Sequence, residues 1–121
     1  IAQSNIYLSD PVEYLKQDKF YNQVLEFKLP RINPLEIFCI ISNIEKKMGR
    51  NKIVNKGPRN IDLDIIFLGL LNYQSNTLSI PHHSWSERSF VVLPLKELPY
   101  FEIIKKHYTI SSELIGNATT L

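Results

Sequence analysis

The stretch Gly57-Pro58-Arg59-Asn60-Ile61-Asp62-Leu63-Asp64-Ile65-Ile66-Phe67 runs from a turn straight into alternating acids and large aliphatics. It reads as a loop entering a strand. With a side-chain period of two, Ile61, Leu63, Ile65 and Phe67 share one face, and Asp62 and Asp64 share the other. The α-carbons of the two acids would lie roughly 6.5 to 7 Å apart, close enough for both carboxylates to grip one metal cluster. Immediately upstream, Lys46, Lys47, Arg50, Lys52, Lys56 and Arg59 are six cations with no acid between positions 46 and 59. A cationic loop that abuts paired acids points to a polyphosphate and its magnesium, because Mg²⁺ takes one or two carboxylates plus phosphate oxygens and water. Arg59, set by the Gly57-Pro58 turn, offers a bidentate donor for a phosphate. The bland alternatives are a solvent-facing sheet surface for the acids and a solvated face for the cations.

Working outward, the upstream element is the clearest helix in the chain. Asn33 is a good N-cap, Pro34 fits the first helical position, and Glu36 stands where a capping box places its acid. Ile37, Ile41, Ile44 and Met48, with Phe38 and Ile40 beside them, recur at helical spacing as an apolar stripe. Gly49 ends the helix, and Lys46 and Lys47 in its last turn complement the dipole. The lone Cys39 falls in this apolar pattern and is expected to be a buried small hydrophobe in a reducing cytoplasm.

Before the helix, Ile6 and Tyr7 suit a strand that Ser9-Asp10-Pro11 stops, Val12 to Lys19 reads as a mobile loop, and Phe20 to Leu29 reads as a second strand closed by Pro30. After the acidic stretch, Gly69 and Asn72 turn the chain into a hairpin return, with a short strand over Thr77 to Ile80 stopped by Pro81. His82 and His83 follow, expected on opposite faces, with no partner acids at zinc spacing. Ser89 to Leu98 is short helical or irregular, broken by Pro94 and Pro99. In the tail, Ser111 or Ser112 could cap a last short helix over Leu114 and Ile115.

Composition bounds the rest. The 121 residues fit one domain, and 44% hydrophobic with 21% charged residues is ordinary for a globular protein. A formal charge of +2 is too small to argue for nucleic acid. No window approaches the roughly 18 apolar residues of a membrane-spanning helix, and no export signal opens the chain. No Gly-rich Lys-Ser or Lys-Thr loop occurs, which excludes a P-loop.

At these residues the sequence resembles the 6-hydroxymethyl-7,8-dihydropterin pyrophosphokinases of folate biosynthesis. Gly57 to Ile66 fits that family's signature from its glycine onward. Pro81-His82, Arg88 and Phe90 match a later Pro-His, Arg and Phe, and Glu45 with Gly49-Arg50 matches the end of the helix and the start of the catalytic loop. The resemblance implies magnesium-dependent transfer of diphosphate from ATP to the hydroxymethyl group of the reduced pterin, with Asp62 and Asp64 binding two magnesium ions. It implies contacts to the ATP polyphosphate from Arg50, Arg59, His82 and Arg88, and places Glu45 and Ser79 near the nucleoside. On the pterin side it implies Phe20, Asn22 and Phe90, with backbone groups at Ser9, Asp10 and Val12. Arg50 and Arg59 join the two aspartates as the expected catalytic set.

The sequence departs from the family pattern at Asn55, in place of a basic residue, at Lys56, where many members carry Trp, and at His83, in place of a common Tyr. Resemblance and pattern agree on an α+β fold, ferredoxin-like, with a mainly antiparallel sheet and helices packed on its faces in three α/β/α layers. The segments Ser9 to Lys19 and Arg50 to Pro58 would be lids. The family's first strand and first helix have no counterpart before Ile1, so residues 1–121 are expected to be one pterin pyrophosphokinase domain, N-terminally incomplete. Its expected partners are ATP and the pterin, not nucleic acid or membrane, and the expected state is a monomer, with fusion to or partnership with other folate-pathway enzymes as the alternative. The alternatives are a truncated inactive relic of the enzyme and a small α+β nucleic-acid-binding module.

Overall fold

Residues 1–10, 20–28, 31, 33–49 and 61–121 are described by the structure, a computed structural model. In chain order its elements are β1 (Ala2–Gln3), β2 (Tyr7–Ser9), β3 (Phe20–Asn22), β4 (Leu25–Glu26), α1 (Pro34–Lys47), β5 (Tyr73–Gln74), β6 (Ser79–Ile80), α2 (Ser89–Leu95), α3 (Phe101–His107) and β7 (Thr119–Thr120), with a 3-10 turn at Trp85–Glu87 before α2. Every ladder between these strands is antiparallel. With three α-helices beside them, the chain is α+β as its sequence implies. The strands form small sheets ordered β1-β4, β3-β2-β7 and β5-β6. The chain divides into two compact units, Ile1–Lys28 with Ser84–Leu121, and Leu29–His83.

In the first unit, the expected strands over 1–8 and 20–29 are each split in two. Ala2 pairs with Glu26 and Gln3 with Leu25, while Tyr7, Leu8 and Ser9 pair with Asn22, Tyr21 and Phe20. The break is bridged at Ser4, which is buried. Its N–H donates to the Val24 carbonyl at 3.0 Å, its hydroxyl accepts the Val24 N–H at 3.0 Å, and its carbonyl accepts the Gln23 amide at 2.7 Å. A serine thus satisfies backbone groups where the ladder lapses, as buried polar backbone requires.

The tail supplies the third strand of this sheet, with Tyr7 opposite Thr120 and Leu8 opposite Thr119. No helix covers Leu114 and Ile115. The segment bends at Ser112–Glu113 and at Gly116, and Ile115 instead bridges Arg88. Helix α2 packs on β2, and it runs through Pro94 rather than stopping there. Tyr7, Trp85, Val91, Val92, Leu95, Leu98, Ile104 and Ala118 form the buried apolar set of this unit. Trp85 meets Tyr108 edge-on at 5.8 Å between ring centroids, a favourable aromatic geometry.

In the second unit, α1 begins as its sequence dictates. The Glu36 N–H donates to the Asn33 side-chain oxygen at 2.9 Å, and the Asn33 amide returns a bond to the Glu36 carboxylate at 3.0 Å. Met48 caps the other end, and Gly49 follows at φ 99°, a left-handed conformation that favours glycine.

The buried face of α1 differs from the expected stripe. Ile37 and Glu45 are buried, with Phe38, Ile41 and Ser42 half-buried, whereas Ile40, Ile44 and Met48 are exposed. Cys39 is exposed as well, not buried as expected. Apolarity alone misplaces the face because its C-terminal end is set by an acid.

Beyond the helix, β5 and β6 form the hairpin return, Tyr73 opposite Ile80 and Gln74 opposite Ser79. The Ser75 hydroxyl accepts the Thr77 and Leu78 N–H groups inside its turn. The expected mobile segments lie outside the described residues, except for Ser9 and Asp10 at the start of the first. Among the described residues, no helix is long and apolar enough to cross a membrane.

Candidate functional site

Asp62 and Asp64 lie in the second unit on residues 61–67, which belong to none of the strands. Among the described residues, the expected strand has no ladder partner. Its anchors are individual bonds instead: the Leu63 N–H donates to the Glu45 carboxylate at 2.7 Å, and the Ile66 carbonyl accepts the His82 N–H at 2.9 Å. The alternation nevertheless holds in exposure from Ile61 to Ile65, with Asp62 and Asp64 exposed and Ile61, Leu63 and Ile65 half-buried. Both carboxylates are thus presented to the solvent side of one short run.

These two residues have the chemistry of a magnesium site. Hard carboxylate oxygens suit a hard cation, and among the described residues no group of three or more His, Cys, Asp or Glu is placed to hold a metal on its own. A pair of exposed carboxylates suits an ion that brings its own phosphate and water oxygens.

Of the other residues that the resemblance implies for the nucleotide side, this unit holds Glu45, Ser79 and His82 among the described residues. Glu45 is buried on α1 and holds Leu63. Ser79 is half-buried in β6 and donates to the Pro81 carbonyl at 3.1 Å. His82 is half-buried, and its ring stacks on His83 at 4.6 Å and 22°. The two histidines therefore lie side by side after β6, not on opposite faces, because they occupy a turn and not a strand. Arg50 and Arg59 lie outside the described residues. None of these residues lines the apolar groove along α1 formed by Pro34, Leu35, Cys39, Ile40 and Tyr73.

In the first unit, strand register gathers three of the residues that the resemblance implies for the pterin side. Ser9 is opposite Phe20 and Tyr7 opposite Asn22, and directly paired residues project from the same face. Ser9, Phe20 and Asn22 therefore share one face of the β3-β2-β7 sheet. Phe20 is 46% exposed and Asn22 half-buried. The Ser9 hydroxyl is buried and has no hydrogen-bond partner among the described residues, and such a group costs free energy unless something completes it. Val12 lies outside the described residues.

Asp10, exposed just past β2, is held from the tail. Its N–H donates to the Asn117 side-chain oxygen at 3.0 Å, and the Asn117 amide donates to its carboxylate at 2.8 Å. Arg88 caps the start of α2, with its guanidinium 5.6 Å from the centre of the Phe90 ring, a cation–π distance.

On the same face, the Tyr7 hydroxyl donates to the Glu97 carboxylate, whose other oxygen accepts the Asn5 N–H at 2.9 Å. The Glu97 hydrogen bond, then burial and the Glu97 charge, push the Tyr7 phenol up to about 12. The Tyr7 bond, helped by the Asn5 N–H and opposed by burial, holds Glu97 below the ordinary carboxylate range. Sequence reasoning missed Ser4, Glu97 and Asn117. No motif marks them, since each acts on a residue distant in sequence.

The α+β chain thus presents two exposed carboxylates two residues apart, hard oxygen donors of the kind a hydrated divalent cation could use. Comparison with known proteins narrows this further. Residues 1–100 match the family described as 7,8-dihydro-6-hydroxymethylpterin-pyrophosphokinase, HPPK, and the chain belongs to that family.

It is 40% identical over 95 residues to the 2-amino-4-hydroxy-6-hydroxymethyldihydropteridine pyrophosphokinase of Bacillus subtilis (strain 168), covering 78% of this chain and 56% of that protein. It is 41% identical over 98 residues to the folic acid synthesis protein fol1 of Pneumocystis carinii, covering 81% of this chain and 13% of the other. It is 37% identical over 115 residues to the bifunctional protein FolKE of Lactococcus lactis subsp. cremoris (strain MG1363), covering 91% of this chain and 33% of that one. The matched region thus spans little more than half of the Bacillus protein and smaller parts of the other two.

Proposed function

We propose that the chain carries out the pyrophosphokinase reaction of its family, transfer of diphosphate from ATP to 6-hydroxymethyl-7,8-dihydropterin in folate biosynthesis. The observation that carries this reading is the exposed Asp62/Asp64 pair on the family signature Gly57 to Ile66. In the transfer, the pterin hydroxyl oxygen bonds to the β-phosphorus as that atom's bond to the bridging oxygen of the α-phosphate breaks. AMP leaves with the bridging oxygen, and the hydroxyl proton is released.

Asp62 and Asp64 would hold two magnesium ions, which when bound supply positive charge to the polyphosphate oxygens and the attacking hydroxyl. The protein's own contribution is to bind and orient. Arg50, Arg59, His82 and Arg88 would pair with phosphate oxygens, the arginines as bidentate donors, and Ser79 would serve the nucleoside end.

On the pterin side, Phe20 and Phe90 offer ring faces to a flat heterocycle. The Asn22 amide offers a donor and an acceptor to its amide-like edge. Ser9, Asp10 and Val12 would meet it through backbone groups. The partnerless Ser9 hydroxyl on the face shared with Phe20 and Asn22 supports a polar ligand there. The Arg88 guanidinium beside Phe90 occupies that ring's neighbourhood and presents charge next to it. Arg50, Arg59 and Val12 enter this reading on sequence alone.

The protein would act on these small molecules without nucleic acid or membrane, as a monomer or joined to other folate-pathway domains. The free Cys39 suits a reducing compartment such as the cytoplasm. The test is AMP release from ATP and magnesium that requires added 6-hydroxymethyl-7,8-dihydropterin. Asp62→Asn and Asp64→Asn should each lower it by about a hundredfold or more while circular dichroism stays unchanged. AMP release indifferent to pterin, or full activity in both variants, would overturn the assignment.

A further inference from the structure

We propose that Glu45 is a positioning residue for the metal-binding carboxylates, fixing the peptide between Asp62 and Asp64 rather than touching a substrate. The proposal rests on the reading of Asp62 and Asp64 as magnesium ligands. Glu45 is only 6% exposed and sits on the buried face of α1 with Ile37 and the half-buried Phe38, Ile41 and Ser42. An acid there is costly without compensating hydrogen bonds. Its Oε2 accepts the Leu63 N–H at 2.7 Å, the short distance of a charge-assisted bond.

Leu63 is the one residue between the two aspartates. The peptide that carries its N–H also carries the Asp62 carbonyl, and that unit is planar and rigid. Holding the N–H therefore sets the orientation of the chain on both sides. Because successive side chains alternate, a fixed Leu63 directs Asp62 and Asp64 together toward the opposite side. In a ladder, a neighbouring strand would do this. Among the described residues, 61–67 belong to none of the strands, and the Glu45 bond, with the Ile66–His82 bond three residues further on, contributes to this duty. Partners that orient metal ligands in this way typically change metal affinity by about 10- to 100-fold when removed.

The experiment uses the whole chain with Mn(II) as the probe, titrated in the presence of α,β-methylene-ATP and read by electron paramagnetic resonance. It is paired with NMR of ¹⁵N-leucine-labelled protein to follow the Leu63 amide. Glu45→Ala should weaken Mn(II) binding by about tenfold or more and move the Leu63 amide upfield with faster hydrogen exchange, whereas Glu45→Gln, which keeps an acceptor, should stay within about threefold of the wild type.

Asp62→Asn and Asp64→Asn separate the two levels of the argument. If neither weakens Mn(II) binding, the metal reading itself falls, and the Glu45 role with it. If both weaken it while Glu45→Ala binds as wild type, only the Glu45 role falls. A changed preference between ATP and GTP analogues in Glu45→Ala, with Mn(II) binding unaltered, would mean direct nucleoside contact and overturn the proposal. Should Glu45→Ala fail to fold, the wild-type protein still decides: a Leu63 amide that exchanges as fast as an exposed one refutes the bond.

Discussion

Replacing Ser4 with alanine should be among the more damaging single changes outside the apolar core, and its cost can be worked from two bonds. The hydroxyl accepts the Val24 N–H at 3.0 Å and donates to the Asn5 carbonyl at 2.7 Å. The bonds made by the Ser4 backbone to Val24 and Gln23 survive the substitution. Losing a typical intramolecular bond costs about 1 kcal/mol, and leaving a poorly hydrated donor unpaired adds about 1 kcal/mol or more. Ser4 is 3% exposed, so water has little access to the vacated position from its side, and Val24 is only half-buried, which keeps the second figure low. The sum is about 2 kcal/mol.

Urea unfolding of the wild type and Ser4→Ala gives the comparison, read as a shift of the midpoint at constant slope. Ser112→Ala, at an exposed position, serves as the control and should change stability by less than about 0.5 kcal/mol. A Ser4→Ala loss no larger than the control's would refute the claim that this hydroxyl substitutes for the interrupted ladder.

Two further outcomes follow from side chains the motifs did not flag. Asn117→Ala removes both bonds to Asp10. Since both partners are exposed, it should cost no more than about 1 kcal/mol, raising the pterin KM by up to about fivefold with the ATP KM unchanged; equal changes in both constants would contradict a pterin-side role.

The Tyr7–Glu97 pair predicts pH dependence at both ends of the scale. A phenol raised from 10.0 to about 12 contributes stability that is full below pH 10 and is lost as pH rises from there toward 12. A carboxylate held below its ordinary 4.5 contributes stability above that value and loses it as pH falls through the lowered value. Urea midpoints measured against pH should therefore show a shallower alkaline decline in Tyr7→Phe than in the wild type, and parallel curves would count against the bond.

What could be read in the sequence was local. The α1 cap is written in Asn33, Pro34 and Glu36, within four consecutive residues, and it forms as read. The alternation of Asp62 and Asp64 also survives in exposure, although no strand forms. What could not be read depends on partners far along the chain. Periodicity assigned Ile44 and Met48 to the buried face of α1, yet the helix turns Glu45 inward because its carboxylate has an N–H to meet on Leu63.

Helix α3 carries no side-chain cap at its start, and its sequence signals are only the dipole-matching Glu102 in its first turn and Lys105, Lys106 and His107 in its last. Strand β7 is two threonines whose only claim to be a strand is the pairing with β2. Within the candidate site, the family resemblance named Ser9, Phe20 and Asn22, while the reason they share a face is the β2–β3 register, which no local pattern encodes. The signature arginines and Val12 fall outside the described residues, and their roles rest on the motif.

The pairing of β7 with β2 has a practical side. The Leu121 N–H donates to the Ile6 carbonyl at 3.1 Å, and Thr119 and Thr120 flank the strand that ends in Ser9. Residues 119–121 are therefore a handle on β2. A surface tether or an engineered reporter attached at Leu121 would transmit its pull to β2 through only a few backbone bonds, so labelling at that position would disturb the β3-β2-β7 sheet, and labels are better placed on the exposed surface of α3.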